Sequence, residues 1–360
     1  MFYLKTVYNY LMSWPVNIDQ NVIITSDPQC VEYLYDPPPH PAPVLDSEAI
    51  LTELKKRLSE EESIKIQTFV QENFEKWKAQ GKEEFIHPSD QLPRSIQYNP
   101  KDHSVYVHFN RRRVGDESIG EGFYKQVTLT FHYQTGTWDA RAVVILSTSN
   151  REKNYNKNRF VSEPKELRNE ANTHIALNRE ENIIPTFSIL KYRGAEGRVK
   201  VAFIYQLANE SLKKYLAGPQ RPLSEISDLA HQIILGLTRM HSKHIYHRDL
   251  NPKNILLALD PMTERRTAFL ADFGLADSNP WHRSEDVAQL GEVLASLFCH
   301  LTEAPPRIAT ILLVRWLKEM KDSTTILEQS LAYFEKRLLP LFSMDAKVVI
   351  ESKDDSQSKK

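Results

Sequence analysis

Apolar residues first recur at helical spacing. Ser47 opens a stretch with Ile50, Leu51, Leu54 and Leu58, and a second stretch carries Ile64, Ile66, Phe69, Val70, Phe74 and Trp77. Recurrence every three or four residues places such positions on one face of a helix. The pattern predicts a helical hairpin, or one long helix, that packs on the domain that follows. Aromatic residues at this spacing are read as core. A proline-rich run at 37–44, PPPHPAPV, precedes them as a stiff polyproline-type connector. From about residue 96 the period changes to two: Val105, Val107 and Phe109 alternate with polar residues, then Val127, Leu129, Phe131 and Tyr133. Gln134-Thr135-Gly136 reads as a turn and Ala140 to Leu146 as a further strand, so a small antiparallel sheet is expected. A helix is predicted over 164–177, strands around 184–192 and 199–205, and helices over 223–243, 284–299, 306–320 and 323–340. No internal repeat is present, and the mixed-charge end, ESKDDSQSKK, is expected to be disordered. A strand-rich half with one helix, followed by a helical half, predicts an α+β chain of two lobes. The cleft between such lobes is a preferred place for a small ligand.

Composition narrows the class. With 46 basic and 47 acidic residues the formal net charge is −1, which argues against a nucleic-acid groove or a basic membrane surface. Hydrophobic residues make up 41% and charged residues 26%, enough apolar content for a sizeable core. Cys30 and Cys299 are far apart and fit no metal-ligand spacing, so both are expected to be reduced thiols of an intracellular, cytoplasmic protein. No apolar run approaches a membrane span. The start, MFYLKTVYNYLMSWPV, lacks the charged region and small-residue cleavage site of a Sec signal.

The chemistry is concentrated in two short runs. His247-Arg248-Asp249-Leu250-Asn251-Pro252-Lys253-Asn254 follows a predicted helix, and Asp272-Phe273-Gly274 follows the apolar run Ala268 to Ala271. Phosphoryl transfer needs a base at the attacking hydroxyl, oxygen ligands for magnesium and cations on the phosphates. Asp249 is the candidate base. Asn254 and Asp272 offer the hard oxygens that suit magnesium. The two runs together, in this order, match the catalytic-loop and metal motifs of protein kinases. Over roughly residues 112–300 the chain resembles eukaryotic-type Ser/Thr protein kinases. The resemblance implies a bilobal protein-kinase-like fold with a small β-rich N-lobe and a mainly helical C-lobe, ATP and magnesium as cofactors, and a protein substrate.

The same resemblance implies the rest of the nucleotide site. Ile119-Gly120-Glu121-Gly122-Phe123-Tyr124-Lys125-Gln126-Val127 reads as the glycine-rich loop, with Gly120 and Gly122 letting the backbone approach phosphates and Val127 covering adenine. Gln206 and Ala208 fall in the hinge that pairs with adenine through main-chain groups. Glu170 matches the helix glutamate that steadies the phosphate lysine. That lysine is missing from the third strand, where Ala142 (or Val144, in another register) stands instead, and Arg141 alternates to the opposite face. Lys125 replaces the family's third glycine. It shares a face with Val127, so it should look into the cleft and supply the cation from the roof. This is similar to the with-no-lysine kinases.

Two further departures remain. Asn251 stands where a lysine is usual, and an amide can bond a γ-phosphate but not neutralise it; Lys253 is a partial substitute. The segment from Gly274 to Asp286 is short and has no Ala-Pro-Glu motif. Two functions from different classes follow: a Ser/Thr protein kinase with a relocated lysine, and a nucleotide-binding pseudokinase scaffold. A small-molecule kinase is a third, disfavoured by the His-Arg-Asp form of the loop. The expected organisation is an N-terminal extension over 1–95 that binds a partner protein, a kinase-like domain over 96–345 with lobes at 96–205 and 206–345, and a tail over 346–360.

Overall fold

The computed structural model describes residues 32–35, 44–82, 84–89, 91–100, 102–109, 120–121, 125–146, 161–162, 164–193, 199–260, 262–322 and 326–342. Cys30, Gly122, most of the proline-rich connector and the charged tail lie outside these. The first half holds β1 (Glu32–Tyr35), α1 (Ser47–Lys55), α2 (Glu60–Gln80), β2 (Glu84–Ile86), β3 (Ser95–Tyr98), β4 (Val105–His108), β5 (Gly120–Glu121), β6 (Gln126–His132), β7 (Thr137–Leu146), β8 (Val161–Ser162), α3 (Pro164–Leu177), β9 (Thr186–Arg193) and β10 (Val199–Gln206). The second half holds β11 (Glu210–Ser211), α4 (Leu212–Leu216), α5 (Leu223–Ser242), β12 (Ile255–Leu259), β13 (Arg266–Leu270), α6 (Arg283–Phe298), α7 (Arg307–Lys321), α8 (Leu327–Tyr333) and α9 (Leu339–Phe342). The helix expected over 323–340 is interrupted by a π-helical turn at Phe334–Leu338.

Among the described residues ten strands form one sheet, with the path β1-β9-β10-β7-β6-β4-β3-β2. The sheet curls, so that Phe85 on β2 stacks on Tyr192 of β9 at 4.6 Å. Period-two alternation splits its residues between two faces. Ala142, Val144, Val201 and Phe203 face α3, whereas Tyr106, Leu190, Tyr192 and Ile204 fill the inside of the curl. A third cluster joins the extension to the lobe: Leu54, Ile66, Val70 and Trp77 pack on Ile96, Tyr98, Val107 and Phe131. The helical pattern is therefore a hairpin, closed by Ser59 capping α2 through the Glu62 N–H and by Gly81 at φ 59° ending it. The division expected at residue 95 falls inside the sheet, because β2 pairs with β3 (Ile86 opposite Ile96).

The second lobe is built on α5. Ile226, Leu229, Ala230, Ile233, Ile234, Leu237 and Met240 recur at helical spacing and are all buried. Gly236 lets this helix approach the β13 end closely: a Cβ there would lie 2.8 Å from the Asn182 carbonyl oxygen and 3.2 Å from Leu270 Cγ. Alanine gains about 1 kcal/mol of helix propensity over glycine, but contact with rigid backbone outweighs it. Gly236→Ala is expected to destabilise by about 1–3 kcal/mol. Chemical denaturation would measure it, and a stabilised variant would contradict this packing.

Candidate active site

The catalytic loop and the Asp-Phe-Gly turn meet because of one ladder. β12 pairs antiparallel with β13, Ile255 opposite Leu270, and the ladder runs on with Ala271 N–H donating to Asn254 O at 2.9 Å. Asn254 immediately precedes β12 and Asp272 immediately follows Ala271, so both side chains emerge at the same end. His247 adds a second tie, its Nε2 lying 3.1 Å from the Ala271 carbonyl. Phe273, fully buried, packs between His174 (4.8 Å) and His247 (5.6 Å).

The loop backbone is strained and held. Arg248 and Asp272 have φ of 67° and 65°, a left-handed conformation costly for residues with a Cβ. Asp286, fully buried on α6, accepts from the Arg248 N–H (2.7 Å), the His247 N–H (2.7 Å) and His241 Nε2 (2.8 Å). Gln289, one turn on, accepts from Leu250 N–H and donates to Arg248 O. Asp286 thus supports the loop backbone through the His247 and Arg248 N–H groups. Gln289 was not singled out in the sequence; its i, i+3 relation to Asp286 is the signal that could have found it.

Asp249 is oriented by amides on both sides. Asn251 Nδ2 lies 3.0 Å from its Oδ1, and Asn254 Nδ2 lies 2.9 Å from its Oδ2. Asn251 thus serves Asp249 directly, while Lys253 is exposed. Asn254 spends its amide nitrogen on Asp249 and keeps its amide oxygen. That oxygen and the second carboxylate oxygen of Asp272 are hard donors. Such a pair suits magnesium, which takes one or two protein oxygens and completes its shell with phosphate and water.

Lys125 lies at the start of β6, just beyond the Gln126–Val143 pair. Its ammonium pairs with Glu170 of α3 and, at 2.7 Å, with Asp272 Oδ1. It also sits 5.7 Å from the centre of the Phe203 ring. Burial by itself lowers a lysine pKa, but Asp272 and then Glu170 outweigh it and hold the ammonium well above its ordinary value. Lys125 in turn holds the Asp272 carboxyl below the usual range. Glu170 reaches this point because Leu167, Glu170, Ala171 and His174 share the buried face of α3. Ala142 and Val144 are buried beneath the same sheet face, and Arg141 points the other way, donating to the Tyr192 hydroxyl at 2.7 Å.

The remaining expected residues fall around the cleft. Gly120 pairs with Val127 across the β5–β6 hairpin, and Val127 packs on the α3-facing cluster. Gly122 lies outside the described residues. Gln206 ends β10 and donates its N–H to Pro185 O at 3.0 Å, and Ala208 follows it in the segment between the two lobes. The short segment after Gly274 is pinned: Arg248 Nη1 lies 3.1 Å from Asp277 Oδ2, and Asp277 and Tyr246 exchange backbone hydrogen bonds.

A curled antiparallel sheet with one helix beneath it, a helical second lobe, and this loop arrangement between them define the bilobal protein kinase fold. Residues 114–290, just under half of the chain, match the family model described as the protein kinase domain. Over 98 residues the chain is 34% identical to cyclin-dependent kinase 4 of Mus musculus (26% of this chain, 31% of that protein) and 36% identical to cyclin-dependent kinase 4 of Xenopus laevis (26% and 29%). The chain spans less than a third of the length of these curated relatives. As a class such domains are ATP- and magnesium-dependent transferases. Among the described residues no helix is long and apolar enough to cross a membrane.

Proposed function

We propose that the protein is an ATP- and magnesium-dependent kinase that phosphorylates Ser/Thr hydroxyls of a protein substrate, with Lys125 in place of the absent third-strand lysine. The observation that carries this reading is the Lys125 ammonium, buried and bracketed by Glu170 and Asp272. When bound, magnesium-ATP supplies an electrophilic γ-phosphoryl group. Asp249 takes the proton from the acceptor hydroxyl, its carboxylate aimed by Asn251 and Asn254. Asn254 and Asp272 hold the metal through oxygen. Lys125, steadied by Glu170, offsets phosphate charge from the roof of the cleft. Gly120, Gly122 and Val127 cover the nucleotide, and Gln206 and Ala208 hold its base.

The test is labelled ATP with magnesium, the full chain and a generic protein acceptor. Label is expected on Ser/Thr and is expected to fall to background in Asp249→Ala. One observation favours a second reading, a nucleotide-binding pseudokinase scaffold: both oxygens of Asp249 already accept from amides, and position 251 carries no cation. Wild-type chain that gains thermal stability with magnesium-ATP but transfers no label would establish that alternative and sink the first. The proposal extends to a protein partner for region 1–95. The buried faces of α1 and α2 are spent on the sheet, leaving the exposed charged side with Glu61 and Lys65. Reversing those two charges would then abolish co-purification of that partner. A cytoplasmic location is proposed from the unpaired, exposed Cys299, and imaging a tagged chain tests it.

A further inference from the structure

His174 is one turn beyond Glu170 on α3 and almost completely buried. Its Nδ1 lies 3.0 Å from Thr186 Oγ1 on β9, and its Nε2 lies 3.2 Å from the Tyr205 hydroxyl on β10. Nε2 is also 3.7 Å from Glu170 Oε1, within electrostatic range but beyond a hydrogen bond. The ring packs on Phe273 at 4.8 Å and on Phe203 at 5.5 Å. Tyr205 directly precedes Gln206 at the hinge. His174 thereby joins α3, both strands behind the cleft and the Asp-Phe-Gly turn.

The tautomer decides what this contact does. Both hydroxyls can donate or accept, so Thr186 and Tyr205 leave either ring nitrogen free to carry the proton. Glu170 removes the ambiguity, because a carboxylate only accepts. A proton on Nε2 faces Glu170 and Tyr205 with an N–H, and Nδ1 then accepts from Thr186. A proton on Nδ1 would instead turn a lone pair toward a buried carboxylate.

We infer that His174 is a positioning residue: neutral and protonated on Nε2, it turns that N–H toward Glu170 Oε1, the same oxygen that pairs with Lys125, and ties this pair to Tyr205 at the wall of the nucleotide cleft. Glu170 Oε1 then faces both an ammonium and an imidazole N–H, and its rotamer, with that of Lys125, is set before nucleotide enters. Without the electrostatic pull of His174 the carboxylate is oriented by the lysine alone. The inference rests on the kinase reading for its consequence in catalysis but not for its structural content, and the test separates the two.

The first measurement uses nucleotide-free full-length chain labelled with nitrogen-15, with the His174 signal assigned by its loss in His174→Gln. The expected result is a neutral ring protonated on Nε2, with that preference weakened in Glu170→Gln. Protonation on Nδ1, or a tautomer indifferent to Glu170→Gln, overturns the inference whether or not the protein transfers phosphate. The second measurement is steady-state phosphoryl transfer. His174→Leu keeps the bulk without the donor and is expected to lower kcat by about tenfold. His174→Gln places an amide N–H near the Nε2 position and is expected to stay within about threefold of wild type. Equal losses in the two variants would mean that His174 serves only packing. If His174→Leu does not fold, His174→Asn replaces it, since its shorter amide reaches toward Thr186 and not Glu170. Absence of turnover in the wild type would count against the kinase reading and leave the tautomer result to stand or fall alone.

Discussion

Lys125→Met is expected to lower phosphoryl transfer about a thousandfold, the upper end of what removing one preorganised charge-stabilising group costs. It also destabilises the fold. Lys125 and Glu170 are both nearly excluded from solvent, with side-chain exposures of 9% and 4%, so removing the ammonium strands a buried carboxylate. Breaking such a pair from one side costs about 3–5 kcal/mol. The Asp272 side chain is 44% exposed, so solvent screens its share and the lower end applies. The two losses are separable. Lys125→Met with Glu170→Gln removes both charges, so stability should return while transfer stays low. Adding Ala142→Lys to Lys125→Met puts a cation on the strand that pairs with β6, beneath the same sheet face, and should restore part of the transfer. Urea denaturation and labelled-ATP assays on the four chains read out both effects. Unchanged transfer in Lys125→Met would remove Lys125 from the catalytic machinery.

Stability should fall steeply in mild acid. His108, His174 and His247 are all buried, and burial lowers each pKa; Arg141 pushes the same way on His108, while Glu170 and Asp286 oppose the shift on His174 and His247 without overcoming it. The unfolded chain takes up a proton on each imidazole as pH falls through about 6.5, while the folded chain does so only at lower pH. Stability is therefore fully present above that value and is lost as pH falls below it. Each group contributes about 1.4 kcal/mol per pH unit, so three together reach about 4 kcal/mol per unit at the steepest. Tm followed from pH 8 to pH 5.5 checks this. A flat curve would mean that these rings are charged in the folded state. His174 links the effect to the site, because an imidazolium there would stand beside the Lys125–Glu170 pair.

Local sequence determined much of this protein. Period-two and helical spacing located the strands from Val105 to Tyr133, the α3 helix and the long α5 helix, because burial on one face is written in the spacing of apolar residues. The spacing of Asp249, Asn254 and Asp272 also announced the chemistry. Tertiary structure decided what depends on contact across distance. Only the β12–β13 ladder brings Asn254 and Asp272 to one end, and only the curl of the sheet with the docking of α3 puts Lys125 between Glu170 and Asp272. The pattern anticipated that α1 and α2 pack on the domain that follows, but only the structure shows which strand residues they meet, among them Ile96, Tyr98, Val107 and Phe131. The same limit hid Gln289, Asp277, Tyr205 and His174. Each is an ordinary polar or aromatic residue in its own segment, and each acquires a role from a partner some 29 residues away or more on another element, as Arg248 does for Asp277 and Tyr205 for His174.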